Sequence, residues 1–532
     1  MRTKRALLLL LSSLLLISSC DKEKQPIKIQ PGVVPGKEDT KDIPEREGMN
    51  IKGRVTDSKT GKAISGVVVS DGIQCVKTDS DGLFYMNSDL SKIRTVFPVV
   101  PAEYEIPFSA KTLFNGYKPV ANGIKAITCE FNLTPRSKAA DNYTMLFLGD
   151  PQVMSSRPHS GESWKYVTSK LKEYKSGVSG DLYQVLLGDM VTNEIEVEGM
   201  AESFIGTLST SQINTFTVAG NHDHIQSATN YYDSVTGYTK HFGPYNFAVN
   251  IGKIHYIFFD SVNWGNKEYD ECVTEEAWQF MKSDLAFVPQ DTPVMICTHC
   301  PLTRKHGGLY PSTSKQHYSD MMSALKGRKV IFWYGHIHFN SFWSYSASEI
   351  SSKAAGLESL DSHVVGRCGG NWACSGEIGR DGSPRGVVVM DVKGKDVQWK
   401  YKSIDEKYPD DFNVILPGDL KGESLVDDSA IYCNVYMWDG KWGTPELWVN
   451  GSKTGTFTHC TTSSYQAVAD PLYAHWYPIW KSQKITGFRD EPPMEYDNSH
   501  LFKIVPPSGV KSAEIRVTDR WGKTIKREIS WK

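Results

Sequence analysis

Asp150, Gln152, Asp189, Asn221, His299, His336 and His338 are the residues of this chain whose types and spacing can do chemistry together. They stand in short motifs: Asp150-Pro151-Gln152, Gly188-Asp189, Gly220-Asn221-His222-Asp223, Thr298-His299 and Gly335-His336-Ile337-His338. Carboxylates, amide oxygens and imidazoles form the ligand set of divalent cations. A carboxylate can bridge two ions while imidazoles cap them, so these side chains, if gathered, make a two-metal site.

Gathering them is the task of the elements that precede each motif. Met145–Leu148, Tyr183–Leu187, Thr215–Ala219, Val294–Cys297 and Val330–Tyr334 read as buried strands. Side chains at the C-terminal ends of neighbouring strands converge on one crevice in an open α/β sheet. Between the strands lie polar helical stretches such as Ser163–Tyr174 and Glu275–Leu285, and this alternation predicts a layered α/β architecture. A lone Gly-His-x-His would be only two polar residues at a loop start. A lone Gly-Asn-His-Asp would be a tight turn. All five motifs, each after an apolar run, make a stronger pattern.

The flanks read differently. At 532 residues the chain exceeds one hydrophobic core, and 40% hydrophobic with 23% charged residues is ordinary for a globular protein. A net charge of −2 without a basic block disfavours nucleic acid as a partner. Met1–Arg5 and the apolar run Ala6–Ile17 form a secretory signal too short to span a bilayer, and no other run is long enough. Residues 21–48 are charged and Pro/Gly-containing, a flexible tether.

Residues 49–135 show short β-branched runs (Ile51–Val55, Ile64–Val69, Leu83–Met86) broken by turn signals, which predicts a β-sandwich. Asp79 and Asp81 do not make a calcium loop, because Gly82 stands at the fourth rather than the sixth position. After Asp405 short β runs return through Ile431–Trp438, Leu447–Val449, Leu501–Val505 and Ala513–Thr518; Trp438, Trp442 and Trp448 there are expected to pack. Of ten cysteines, an odd number remains after Cys20. Cys368 and Cys374 are expected to pair, and Cys297 and Cys300 to act as small buried hydrophobes.

The order and spacing of the five motifs resemble the calcineurin-like metallophosphoesterases. The resemblance covers about residues 140–402 and implies a four-layer α/β/β/α sandwich, flanked here by an N-terminal β-sandwich and a C-terminal β-domain. It implies two divalent ions (Mn, Mg, Ca, Fe or Zn) and hydrolysis of phosphomonoesters or phosphodiesters by a metal-bridging hydroxide. Asp189 bridges; Asp150, Gln152 and His338 hold one ion, and Asn221, His299 and His336 the other. His222 is the general acid, with Asp223 to orient it. The first motif is usually Asp-x-His, and Gln152 departs from it. An amide oxygen is a harder, weaker ligand than imidazole, so the first ion is expected to be loosely held and to lean towards Mn, Mg or Ca.

Arg304, His306, Asn340, Arg367 and Trp372 are candidates to hold the substrate, each equally readable as a loop residue, while His159, His224, His317 and His363 stay unassigned. Ile17-Ser18-Ser19-Cys20 resembles a bacterial lipobox, which implies lipidation at Cys20 and an exported lipoprotein facing the periplasm or the cell surface. The lipid is then its only membrane contact. The segment Gly53–Phe84 resembles the carboxypeptidase-regulatory-like sandwich, and 405–532 the C-terminal β-domain of bacterial relatives. Two alternatives stay open: a phosphodiesterase restricted to phospholipid or envelope diesters, and an inactive glycan-binding surface protein.

Overall fold

The computed structural model describes residues 43–532 apart from 306–308, 312–316, 346–358, 373, 375, 421–426, 461–469 and 494–497. The signal, Cys20, nearly all of the tether and His306 therefore lie outside the described residues. Two sheets face each other at the centre. The first runs Asn214–Thr217, Asp181–Leu186, Asn142–Leu148, Gly386–Lys393, Asp396–Ser403, with its first three strands parallel. The second runs Phe247–Ile251, Ile254–Phe258, Val294–Cys297, Lys329–Tyr334, Ser359–Val364, Ser341–Tyr345, with four parallel strands at its middle.

Period-two alternation explains the layering. In Asn142–Leu148, Met145 and Phe147 join the core between the sheets, and Phe147 stacks on Trp333 of the second sheet at 4.1 Å. Their neighbours Leu146 and Leu148 face the other way, into a cluster with Trp164, Val167 and Leu171 of helix Pro158–Ser176 and with Phe204 and Leu208 of helix Met200–Ser209. Phe280 and Met281 of helix Glu275–Leu285, with Met321 and Met322 of Tyr318–Ala324, cover the second sheet. Strands with two buried faces need near-continuous apolar runs, and that is what precedes each motif. The protein is a four-layer α/β/β/α sandwich with strand-rich parts on either side.

The strands of residues 51–133 form a three-stranded and a four-stranded sheet. The expected strand Ile64–Val69 is shorter, Val68–Ser70, because Ser65-Gly66 makes a turn with Gly66 at φ +78°. Two four-stranded sheets lie between 412 and 530. One helix breaks the all-β expectation there, Pro471–Ser482. Asp470 caps it by accepting from Leu472 N and Tyr473 N, with Pro471 at the first helical position where no amide hydrogen is needed. Trp438 packs against His459 and Phe502, Trp442 is buried, and Trp448 lies under Arg516. Cys368 and Cys374 are both free thiols, so the expected disulfide is absent; each sits in a different apolar cluster.

Candidate metal centre

Three of the five motifs turn sharply as they leave their strands. Asp150, Gln152, Asp189, His336 and His338 all have positive φ, between 45° and 75°. Such backbone costs a non-glycine residue about 1 kcal/mol or more, and it persists only where the surroundings enforce it. Glycines make room: a Cβ on Gly188 would meet His299 Nδ1 at 2.3 Å, on Gly220 Asp189 Oδ1 at 2.2 Å, and on Gly335 Asp150 Oδ2 at 2.7 Å. The glycines before Asp189, Asn221 and His336 thus let one candidate ligand pack against the backbone that presents another.

The side chains meet as two overlapping groups. Asp189 sits between them, its Oδ2 accepting from Gln152 Nε2 at 3.0 Å and its Oδ1 lying 3.3 Å from His299 Nε2. On one side are Asp150, whose carboxylate accepts His336 N at 3.0 Å, and His338, whose Nε2 is 3.8 Å from Asp150 Oδ1. On the other side Asn221 Oδ1 lies 3.1 Å from both His299 Nε2 and His336 Nδ1. Ligand atoms of Asp150, Asp189 and His299 lie within 4.8 Å of one another.

Outer contacts fix which ring nitrogen faces inward. His299 Nδ1 donates to Leu187 O at 2.7 Å, leaving Nε2 for the centre. His336 Nε2 donates to Glu271 Oε1 at 2.9 Å, leaving Nδ1. A carboxylate behind a ligating imidazole sets its orientation and raises its basicity. Glu271, on a hairpin of Val262–Gly265 with Glu268–Glu271, carries no sequence motif and is invisible without the fold. The Cys300 thiol packs in the apolar cluster as expected, and its Sγ also lies within 4.8 Å of His299 and His336 ligand atoms.

The electrostatics ask for a cation. Burial pushes the Asp150 carboxyl up to about 7, against the pull of His299 and with the Asp189 charge adding to it. Burial alone would also raise Asp189, but the His299 and His222 charges outweigh it and hold this carboxyl below the usual range. Burial opposes a charge on His299 in turn, yet Asp189 raises it to about 10. Gln152 Oε1 is buried and has no hydrogen-bond partner. Two buried carboxylates, an orphaned amide oxygen and inward-facing imidazole nitrogens fit divalent ions.

His222 stands apart from the ligands. Its backbone N–H donates to Asp189 Oδ1 at 2.9 Å, and its Nδ1 donates to Asn193 Oδ1 at 2.6 Å, which leaves Nε2 for a substrate. Asp223 does not orient it. That carboxylate is buried and accepts from Met190 N, Val191 N and Gly220 N, so it braces the loops that carry Asp189 and Asn221. Asn193 is the orienting group, recognisable in the sequence only by its place four residues after Asp189.

The other candidates separate in the same way. Arg367 is buried, with Nη2 donating to Pro151 O at 2.9 Å, so it holds the first ligand loop rather than facing solvent. Asn340 is buried with Oδ1 accepting from Gly366 N, again a brace. Trp372 lies edge-on to His338 with ring centroids 5.5 Å apart, at the centre. Arg304 is in strand Thr303–Lys305, but its side chain and His306 lie outside what the structure describes. His224 bonds Ser234 and faces Asp260, His363 packs among Trp333, Phe342 and Trp399, and His317 meets Glu275.

Fold and site together define a dinuclear metallohydrolase. Residues 143–340 match the family described as calcineurin-like phosphoesterase, residues 49–136 its N-terminal part and residues 362–525 its C-terminal part. The chain belongs to the calcineurin-like phosphoesterases and is a metal-dependent phosphoester hydrolase that uses two divalent ions. The C-terminal match begins inside the second sheet, whose strand Ser359–Val364 it includes in part.

A search of curated proteins finds no sequence match. Among solved structures the chain is similar to a purple acid phosphatase from yellow lupin seeds (13% identity, 65% of this chain and 68% of that one, TM-score 0.37). It is similar too to a dimetal phosphatase from Danio rerio (12%, 50% and 97%, TM-score 0.33). A third is a 5'-nucleotidase from Candida albicans (12%, 51% and 54%, TM-score 0.30).

Proposed function

We propose that this chain is an exported, lipid-anchored phosphoesterase that cleaves phosphate esters with His222 as the general acid. Asp150, Gln152, His338 and Asp189 would hold one divalent ion; Asp189, Asn221, His299 and His336 the other. The two ions supply charge neutralisation at phosphorus and a water of lowered pKa. Gln152, Glu271 and the Leu187 carbonyl orient the ligands, and the buried setting strengthens every charge in it. Asn193 aims His222 so that Nε2 meets the leaving oxygen, and the doubly protonated ring delivers the Nε2 proton to it. Burial holds the His222 pKa below the ordinary imidazole range, so this acid form gains as pH falls.

The single observation that carries this reading is the hydrogen bond from Gln152 Nε2 to the Asp189 carboxylate, which leaves the buried Gln152 Oε1 orphaned, beside a separately anchored His222. The export and lipid parts rest on the Ile17–Cys20 sequence. Among the described residues no helix is long and apolar enough to cross a membrane. The test is purified protein from Lys22 onward, assayed with p-nitrophenyl phosphate beside its bis-ester while Mn and Zn are varied. Turnover abolished by chelation and restored by metal is expected, and the ratio of the two rates assigns monoester or diester preference. Labelled fatty acid incorporated by the full chain and lost in Cys20→Ala is the expected sign of the anchor.

A further inference from the structure

Beside His338, and outside the ligand set, two guanidinium groups cover the Trp372 indole. Arg157 Cζ lies 4.4 Å from its ring centroid and Arg489 Cζ 4.1 Å. The two come from distant parts of the chain. Arg157 ends the loop that carries Asp150 and Gln152, while Arg489 follows helix Pro471–Ser482. Packing locks them together: His159 Nδ1 donates to Thr486 O at 3.1 Å, and a Cβ on Gly487 would strike Arg157 at 2.7 Å.

This cluster holds more donors than acceptors. Arg157 Nη1 is buried with no hydrogen-bond partner. Trp372 is only 8% exposed, and its indole N–H is likewise unpartnered. Arg489 is met by Glu491 at a loose 3.6 Å and its side chain is 51% exposed. Burial and the Arg489 charge weaken the hold of Arg157 on its proton, and the nearby Glu491 carboxylate offsets this only in part. Unmade buried hydrogen bonds and like charges held together are costly unless an anion relieves both. Planar guanidinium forks match the oxygens of phosphate, and the neighbouring centre already handles one phosphate group.

We propose that Arg157, Trp372 and Arg489 form an anion subsite beside the metal centre, which takes a second phosphate group of the substrate and makes esters with two phosphates preferred. This deepens the phosphoesterase reading and rests on it. The reactive phosphate lies at the centre and the other is held by the arginines; neither arginine takes part in bond cleavage.

The test compares 1,4-butanediol bisphosphate with its monophosphate and with 4-phosphooxybutanoate, using the Mn-loaded protein. The wild type is expected to favour the bisphosphate over the monophosphate by tenfold or more in kcat/KM. Arg489→Gln, at a position whose side chain is half exposed, should cut that ratio about tenfold, mainly through KM, and Arg157→Gln should do the same. Equal use of mono- and bisphosphate, or a ratio indifferent to Arg489→Gln, would overturn the subsite. A carboxylate arm as good as the bisphosphate would overturn its assignment to phosphate.

If no ester is hydrolysed at all, the activity reading fails separately. Calorimetric titration of inorganic phosphate into metal-free protein then reads the subsite directly. Binding that disappears in the Arg157→Gln, Arg489→Gln double variant supports it; binding absent from the wild type, or unchanged in the double variant, refutes it.

Discussion

At the scale of single residues, Asp189 and His222 carry separable jobs. Asp189→Asn removes the charge shared by both ions, so metal content and activity should fall together; activity within tenfold of wild type would show that this carboxylate does not bridge. His222→Ala should keep its metal, because His222 stands outside the proposed ligand set, and lose about 10²–10⁴-fold in kcat, the worth of a positioned acid. The loss should shrink with nitrophenolate, which leaves without a proton. An equal loss for alkyl and nitrophenyl esters would remove the acid role.

Gln152→His should tighten the weaker metal site, since imidazole outbinds an amide oxygen for borderline ions. Calorimetry on apo-protein reads this directly, and no tightening would place Gln152 outside the ligand set. The pH dependence of metal binding follows from His299. Its metal-free pKa, raised to about 10 by Asp189, means it carries a proton at neutral pH that an entering ion must displace. Affinity should therefore rise with pH towards 10, with proton release detectable as a buffer-dependent heat. A binding heat independent of buffer ionisation would contradict it.

Elements explain why the ligands meet. The glycines before the motif residues are spacing devices, and Gly220→Ala tests this at the tightest contact, where a Cβ would sit 2.2 Å from Asp189 Oδ1. Metal content should drop while far-UV circular dichroism stays unchanged. Retention of both metals would mean that the loop yields easily. A second element-scale device ties the loop after His338 to the C-terminal strands. Asn340 N donates to Asp381 Oδ2, Asp381 lies 3.2 Å from His500 Nε2, and Asn434 and Asn498 both donate to the Asp381 carbonyl and to Asp470. Asp470→Ala leaves four donors without their acceptor. At about 1–3 kcal/mol for each buried orphan, a loss of roughly 4 kcal/mol or more in urea stability is expected. A loss under about 1 kcal/mol would mean that water replaces the carboxylate there.

For the whole molecule, one apolar core runs through parts that read as separate in the sequence. Phe97 of the N-terminal strands meets Phe280, Trp399 of the first sheet meets Trp521, and Tyr401 meets Tyr436. Cys75 N donates to Ser283 Oγ across the same junction. Such continuity predicts a single cooperative urea transition for the protein from Lys22 onward, followed alike by tryptophan fluorescence and circular dichroism. Three resolved transitions would show that the flanking parts fold on their own.

Apolar runs and the motifs after them are enough to read a layered α/β core and the residues at its strand ends, while the two-sheet, four-layer arrangement came with the family resemblance. Buried strands must be apolar on both faces, and a motif that follows such a run has to emerge at a sheet edge. Helix Glu275–Leu285 was legible to the residue for a related reason, since Thr274 caps it and its apolar stripe is regular. Tertiary structure alone decided what surrounds the ligands. Asn193 behind His222, Glu271 behind His336 and Arg489 over Trp372 carry no periodicity and no motif. Asp223 reads as a partner of its neighbour His222 but turns to three backbone amides. Cys368 and Cys374 read as a pair yet enter different clusters. Sequence proximity is a poor guide there because a loop's side chains are aimed by the backbone they pack against, and that backbone arrives from elsewhere in the chain.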